Sequence, residues 1–220
     1  MRSLWRDNGL SITLLVLFLA SIAGQAFAGH RSENEDRRDH GEAPEPLLAY
    51  VTGGQFVEAV FENWESEFLQ MAVYVMLTAW LFQRGSAESK DPDAKAPQDE
   101  DPRDHMEDPD APGAVRRGGW RLPLYENSLA LAFGALFVVS LTLHAAGGAQ
   151  AYNEERLLHG EPAVGVLDYA GSSRFWFESL QNWQSEFLAV FTIVVLSIVL
   201  RQRGSAQSKP VHASHRETGK

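Results

Sequence analysis

The chain is written twice. Residues 8–90, displaced by 119 positions, fall on 127–209 without a gap, and 32 of the 83 aligned pairs are identical. The strongest match sets Asn63-Trp64-Glu65-Ser66-Glu67-Phe68-Leu69 against Asn182-Trp183-Gln184-Ser185-Glu186-Phe187-Leu188. A second sets Gln83-Arg84-Gly85-Ser86-Ala87 against Gln202-Arg203-Gly204-Ser205-Ala206. Self-similarity of this length marks duplicated architecture rather than a short motif. Any reading of one copy must therefore also hold for the other.

The apolar residues come in blocks, which the mean hydropathy of -0.22 conceals. Residues 10–28 are uncharged, follow Arg2 and Arg6, and end in Ala26-Phe27-Ala28. Alone, this block reads as a secretory leader with a small-residue cleavage site. Its equivalent, 128–149, is uncharged apart from His144 and lies mid-chain, where no leader can be. The pair therefore reads as two membrane anchors. Both open on an asparagine, Asn8 and Asn127, whose side-chain carbonyl suits a helix N-cap. The second pair of blocks, 68–82 and 187–200, gives only about 22 Å of helix. A bilayer core of about 30 Å needs about 20 residues. Each helix should thus start earlier and draw in the Asn-Trp-x-Ser-Glu segment, opening at Phe56 or Phe175 after the Gly53-Gly54 and Ser172-Ser173 breaks, with its first turns in the headgroup region. The expected spans are about 8–28, 64–83, 127–147 and 183–202. The second of each pair should stop at Arg84-Gly85 or Arg203-Gly204, with glycine in a left-handed cap and arginine against the helix dipole.

With four spans, the N-terminus, the 83–125 segment and the C-terminus share one side. They hold fourteen of the nineteen Lys and Arg residues, Arg2 and Lys220 among them. The two opposite loops hold Arg31, Arg37, Arg38, Arg156 and Arg174. The positive-inside bias puts both termini in the cytoplasm of an inner membrane. Two spans per copy insert both copies the same way up. The expected fold is an all-α membrane protein: two tandem helical hairpins in a four-helix bundle, related by a pseudo-twofold along the membrane normal. Residues 1–90 form the first repeat, 91–118 a linker, 119–209 the second repeat and 210–220 a tail. Nine acids stand against Lys95 and Arg103 in 91–110. That segment has too few apolar residues to offset chain entropy, so linker and tail should be disordered.

At this point the chain resembles a family of small bacterial four-span membrane proteins classed as a domain of unknown function. Asn8-Gly9-Leu10, the doubled Asn-Trp-x-Ser-Glu-Phe-Leu and the doubled Gln-Arg-Gly-Ser-Ala carry the resemblance. It implies a membrane protein and imports no activity and no catalytic residues.

Glu67 and Glu186 are the leading chemical candidates, at equivalent positions near the outer membrane interface. Asn63 and Asn182 lie one helical turn before them on the same face. Ionisable residues within a span are costly and suggest function. Gln25 and His144, also equivalent, should reach similar depth. A polar cluster of Asn63, Glu67, Asn182, Glu186, Gln25 and His144 is expected there, with His144–Glu186 as its central pair. The plainer reading makes the acids partners of helix dipoles, with Trp64, Trp183, Arg84 and Arg203 as interfacial anchors.

The outer loops share Asn34-Glu35-Asp36-Arg37 with Asn153-Glu154-Glu155-Arg156, and His40-Gly41-Glu42 with His159-Gly160-Glu161. Four His and Glu side chains could hold zinc, but no short-spaced ligand pair is present. A turn with solvated charges is the better account, and loops that keep register after duplication should be folded. Ser86, Ser89 and Lys90 recur as Ser205, Ser208 and Lys209, and read as a helix stop with basic anchoring rather than a modification site.

The net charge of -10 argues against nucleic acid. The absence of cysteine excludes disulfides, cysteine zinc sites and thiol catalysis. No P-loop, dinucleotide fingerprint, nucleophile elbow or zincin motif is present. The expectation is no enzyme and no cofactor. Expected partners are the lipid bilayer and either a second copy or another membrane protein, in a structural or interaction role. An alternative is a homo-oligomeric ion or proton pathway using Glu67 and Glu186.

Overall fold

A computed structural model describes residues 2–219, with side chains from Leu4 onward. The Arg2 side chain and Lys220, counted above as inner-side basic groups, lie outside the described residues. Eight α-helices follow one another: α1 (Arg2–Asp39), α2 (Leu47–Thr52), α3 (Gly54–Trp80), α4 (Gly113–Arg117), α5 (Arg121–Glu126), α6 (Ser128–Leu158), α7 (Val166–Ala170) and α8 (Ser173–Val199). Two short 3-10 turns, Pro97–Asp99 and Pro102–His105, precede α4. Among the described residues there is no strand. The ends of α1 and α6, the starts of α2 and α7, and both ends of α3 and α8 stand 119 residues apart.

Among the described residues, three helices, α1, α6 and α8, are long and apolar enough to cross a membrane. The sequence led us to expect four. α3 matches α8 in length but carries Glu58, Glu62 and Glu65 where α8 has Phe177, Gln181 and Gln184. Those acids lower its hydropathy below that of its equivalent.

The helices differ from expectation at their ends. α1 and α6 continue well past the apolar blocks because no proline interrupts their polar extensions, and in that of α1 Arg31 and Glu35 pair at 3.0 Å one turn apart. Both then end in the same way. Glu42 N–H donates to Arg37 O and Gly41 N–H to Arg38 O, with Gly41 at φ +77°. Glu161, Gly160, Arg156 and Leu157 repeat the pattern, with Gly160 at φ +72°. This is the Schellman closure, which needs a left-handed residue after the last turn.

α3 and α8 start at Gly54 and Ser173, within two residues of the expected openings at Phe56 and Phe175, and end at Trp80 and Val199, short of the expected Arg-Gly stops. The expected glycine caps lie further on, each in a turn of its own. Ser89 Oγ accepts from the Gln83 amide and Ser208 Oγ from the Gln202 amide, both at 2.9 Å. Each serine thereby takes a backbone donor that helix continuation would need. Gly85 and Gly204 then bend the chain at φ +85° and +82°.

The chain forms two compact units, Met1–Phe61 with Leu143–Ser172, and Glu62–Thr142 with Ser173–Lys220. Their boundaries cut through α3 and α6. In the first unit, the start of α3 meets the second half of α6 backbone to backbone. A Cβ added to Gly54 would stand 2.7 Å from Gly147 O, and one added to Gly147 2.6 Å from Glu58 N. Only glycines permit such an approach. Tyr50 packs on Gly29 and Tyr169 on Gly148, again 119 residues apart. In the second unit, Ser86 Oγ and Ser197 Oγ share a buried hydrogen bond of 3.0 Å. The 91–118 segment runs through turns into α4, where Val115 is buried.

Candidate functional site

The six candidate polar residues divide between the units: Gln25 and His144 belong to the first, Asn63, Glu67, Asn182 and Glu186 to the second. Each group is described within its own unit.

In the second unit, the repeated asparagine and tryptophan of α8 bind acids of α3. Asn182 Nδ2 donates to Glu62 Oε1 at 2.6 Å, and Trp183 Nε1 to Glu65 Oε1 at 3.2 Å. Glu65 is fully buried and Ser66 beside it nearly so. The Trp183 ring sits edge-on to Phe137 and Trp176, with centroids 6.2 and 6.1 Å away. Trp64 packs edge-on to Phe68, which faces Phe133. A buried carboxylate is tolerated only where donors meet it, and the indole N–H supplies one. Trp183 is thus a half-buried ring that donates to a buried acid. Sequence reasoning missed Glu62 and Glu65 because it searched for residues kept in both copies. Their signal is divergence: the second copy has Gln181 and Gln184 at those positions.

Glu67 is exposed and Glu186 half-buried, and the two carboxylates lie within electrostatic reach of each other. Asn63 is exposed on α3, with Ser66 Oγ donating to its carbonyl at 2.8 Å.

In the first unit, His144 is fully buried on α6, whereas its equivalent Gln25 is exposed on α1. A ring nitrogen of His144 and a carboxylate oxygen of Glu58 lie within 4.8 Å of each other. Tyr169 Oη, itself buried, donates to Glu58 Oε1 at 2.8 Å. Neither Glu58 nor Tyr169 was anticipated as part of this polar group.

The loops that follow α1 and α6 are folded, each by bonds inside its own copy. The Asn34 side chain brackets the peptide of Glu45, accepting from its N–H at 2.6 Å and donating to its carbonyl at 3.1 Å. Asn153 brackets Val164 at 2.7 and 2.9 Å. Arg37 Nε donates to Ala43 O at 2.9 Å and its guanidinium pairs with Glu42 at 3.1 Å. Arg156 does the same with Pro162 O at 2.8 Å and Glu161 at 2.9 Å. His40 Nδ1 and His159 Nδ1 each donate to a carbonyl one turn back, at 2.9 and 2.8 Å. The His and Glu side chains considered for zinc are therefore engaged in closing turns. The bond to Asp36, and then its charge, raise the pKa of His40 above the ordinary 6.5.

At the ends of α3 and α8, the carbonyls expected to face Arg84 and Arg203 are met by other residues. Arg201 donates to the carbonyls of Ser197, Ile198 and Leu200 at the end of α8, and Lys90 to Ala79 O near the end of α3. Arg84 instead pairs with Asp93, and the guanidinium bond holds that carboxyl below the usual carboxylate range. Arg203 is exposed. Lys209 is buried among the carbonyls of Gly85, Ser214, His215 and Glu217.

These features define an all-helical protein whose long apolar helices are compatible with a membrane. The chain belongs to the family described as Domain of unknown function (DUF6766), whose family model matches residues 1–220. No curated protein and no solved structure matches it.

Proposed function

We propose that this is a four-span inner-membrane protein of bacterial type, with both termini cytoplasmic and a structural or interaction role. In this reading α3 is the fourth span, and three of its four acids are met by protein groups: Tyr169 reaches Glu58, Asn182 reaches Glu62 and Trp183 reaches Glu65. The two hairpins are tandem copies about a pseudo-twofold along the membrane normal, and the acidic linker is a solvated tether. The observation that carries the role is the outer loops, closed twice by the same set of internal bonds. Such loops present a fixed surface, as a scaffold or accessory subunit requires. Mild detergent extraction followed by affinity capture is expected to bring down a reproducible stoichiometric partner or a second copy. A pure monomer would count against the role. No catalytic activity is proposed.

A second reading is favoured by one feature, the electrostatic coupling of the equivalent carboxylates Glu67 and Glu186. In an ion or proton pathway these carboxylates would carry the cation. Flux in proteoliposomes should then fall in Glu67→Gln/Glu186→Gln, and unchanged flux would remove this reading.

A further inference from the structure

The Gln-Arg-Gly-Ser-Ala turn is built twice within the second unit, and only one copy has its arginine met by an acid of the chain. The two turns close alike. Ser86 N–H donates to Gln83 O at 3.1 Å and Ser205 N–H to Gln202 O at 3.2 Å. The two serine hydroxyls then accept from the Glu88 and Gln207 amides, both at 3.1 Å. The register holds further along, where Ala94 N–H donates to Asp91 O and Ala213 N–H to Pro210 O. Position 212 is therefore the equivalent of 93, and 218 of 99. In the first copy Asp93 pairs with Arg84 and Asp99 with Lys90. In the second copy His212 and Thr218 stand where those acids would be. Lys209 turns inward onto carbonyls, those of Gly85 and Glu217 among them. Arg203 and His212 are both exposed and line one cleft of about 870 Å³. Among the described residues no acid lines that cleft.

We propose that this cleft binds the phosphate of an anionic phospholipid whose acyl chain lies along α8. This rests on the membrane reading above. The charge argument comes from the first copy, where the same turn takes a carboxylate on its arginine. A guanidinium offers a phosphate the same paired donors that it offers a carboxylate. Phosphate oxygens can therefore stand at Arg203 where Asp93 stands at Arg84. The lipid argument comes from the neighbouring surface. An open groove of about 680 Å³ adjoins the cleft and shares Gln202 and Ser208 with it. It is lined by Leu188, Ile193, Leu196 and Leu200, all exposed, over about 18 Å of helix. The site is thus basic at one end and apolar along the rest. A phospholipid has that division and a free phosphate lacks it. In the proposed orientation this end of α8 meets the cytoplasmic leaflet, whose anionic lipids attract basic groups.

The test reconstitutes the full chain in phosphatidylcholine vesicles with a trace of phosphatidylglycerol bearing a photoactivatable acyl chain. A parallel sample carries phosphatidylcholine with the same chain. Adducts are located by peptide mass spectrometry. Residues 188–200 are expected to take roughly fivefold more label from phosphatidylglycerol. His212→Asp, which gives Arg203 the acid that Arg84 has, should remove that preference, and so should Arg203→Gln. Both positions are exposed, so neither change disturbs packing. Arg84→Gln, in the turn already supplied with an acid, should leave the preference unchanged. Equal labelling by the two lipids overturns the proposal, as does a preference that survives His212→Asp and Arg203→Gln or that Arg84→Gln also removes. The preference is expected to persist in excess inorganic phosphate; its loss there would assign the cleft to a free anion and overturn the lipid site. Protein released by alkaline carbonate would instead refute the membrane reading, and is scored separately before illumination.

Discussion

Asn34 and Asn153 each hold a whole loop with one side chain. The bracketed residue is Glu45 in one copy and Val164 in the other, so the side chains there have diverged while the bond has not. A bond to backbone leaves no trace in the partner's identity. The asparagines were therefore visible in the sequence as a match in register, but their partners were not. Asn34→Ala and Asn153→Ala should each cost about 1–3 kcal/mol, since a bracketed peptide loses its partners. Thermal melts in detergent measure this, and amide exchange at Glu45 or Val164 should accelerate in the same variant. If exchange is unaffected, the bracket does not hold the loop. His40 adds a dependence on pH. Its folded pKa is raised above 6.5, so its contribution to loop closure is fully present below 6.5 and fades as pH rises through the raised value. An NMR titration of His40 showing a midpoint at or below 6.5 would contradict this. Glu62 and Glu65 were illegible for the opposite reason to the asparagine partners. They are side chains that matter in one copy only, and a search for repetition passes over them.

At the level of elements, the sequence placed the helices but not their ends. Apolar blocks locate the lipid-facing part of a helix, whereas its ends are set by capping. The Schellman glycines at 41 and 160 were readable as turns. The serine hydroxyls that take the Gln83 and Gln202 amides were not, because they act from six residues away. Helix crossings follow from the glycines. Gly147→Ala should destabilise the protein by about 1–3 kcal/mol, since its Cβ would meet Glu58 backbone and neither helix can yield without moving. Gly134→Ala in the same helix meets nothing within 4 Å. It should be neutral or slightly stabilising, because helical glycine costs roughly 0.5–1 kcal/mol against alanine. Equal melting shifts in the two variants would mean that the α3–α6 approach is not close.

For the whole molecule, α3 decides the topology. If it spans, His40 and His159 are separated by two crossings and emerge on the same side. If it does not, they emerge on opposite sides. Single cysteines at these two positions should both react with an impermeant maleimide added outside intact cells, and one at Arg103 should react only after the membrane is opened. Labelling of His40 and His159 from opposite faces would reduce the protein to three spans. Duplication was enough to read a doubled helical plan from sequence, but hydropathy separates α3 from its equivalent α8, because Glu58, Glu62 and Glu65 have no acidic counterpart there. The length of α1 has a further consequence. Its apolar block ends near residue 28, and the helix continues to Asp39, adding about 16 Å of rise at 1.5 Å per residue. Headgroups occupy roughly 5–8 Å on each side of a bilayer. In the proposed four-span arrangement the His40-Gly41 turn therefore clears the headgroup layer and stands as a raised rim, within reach of soluble molecules that never touch the membrane.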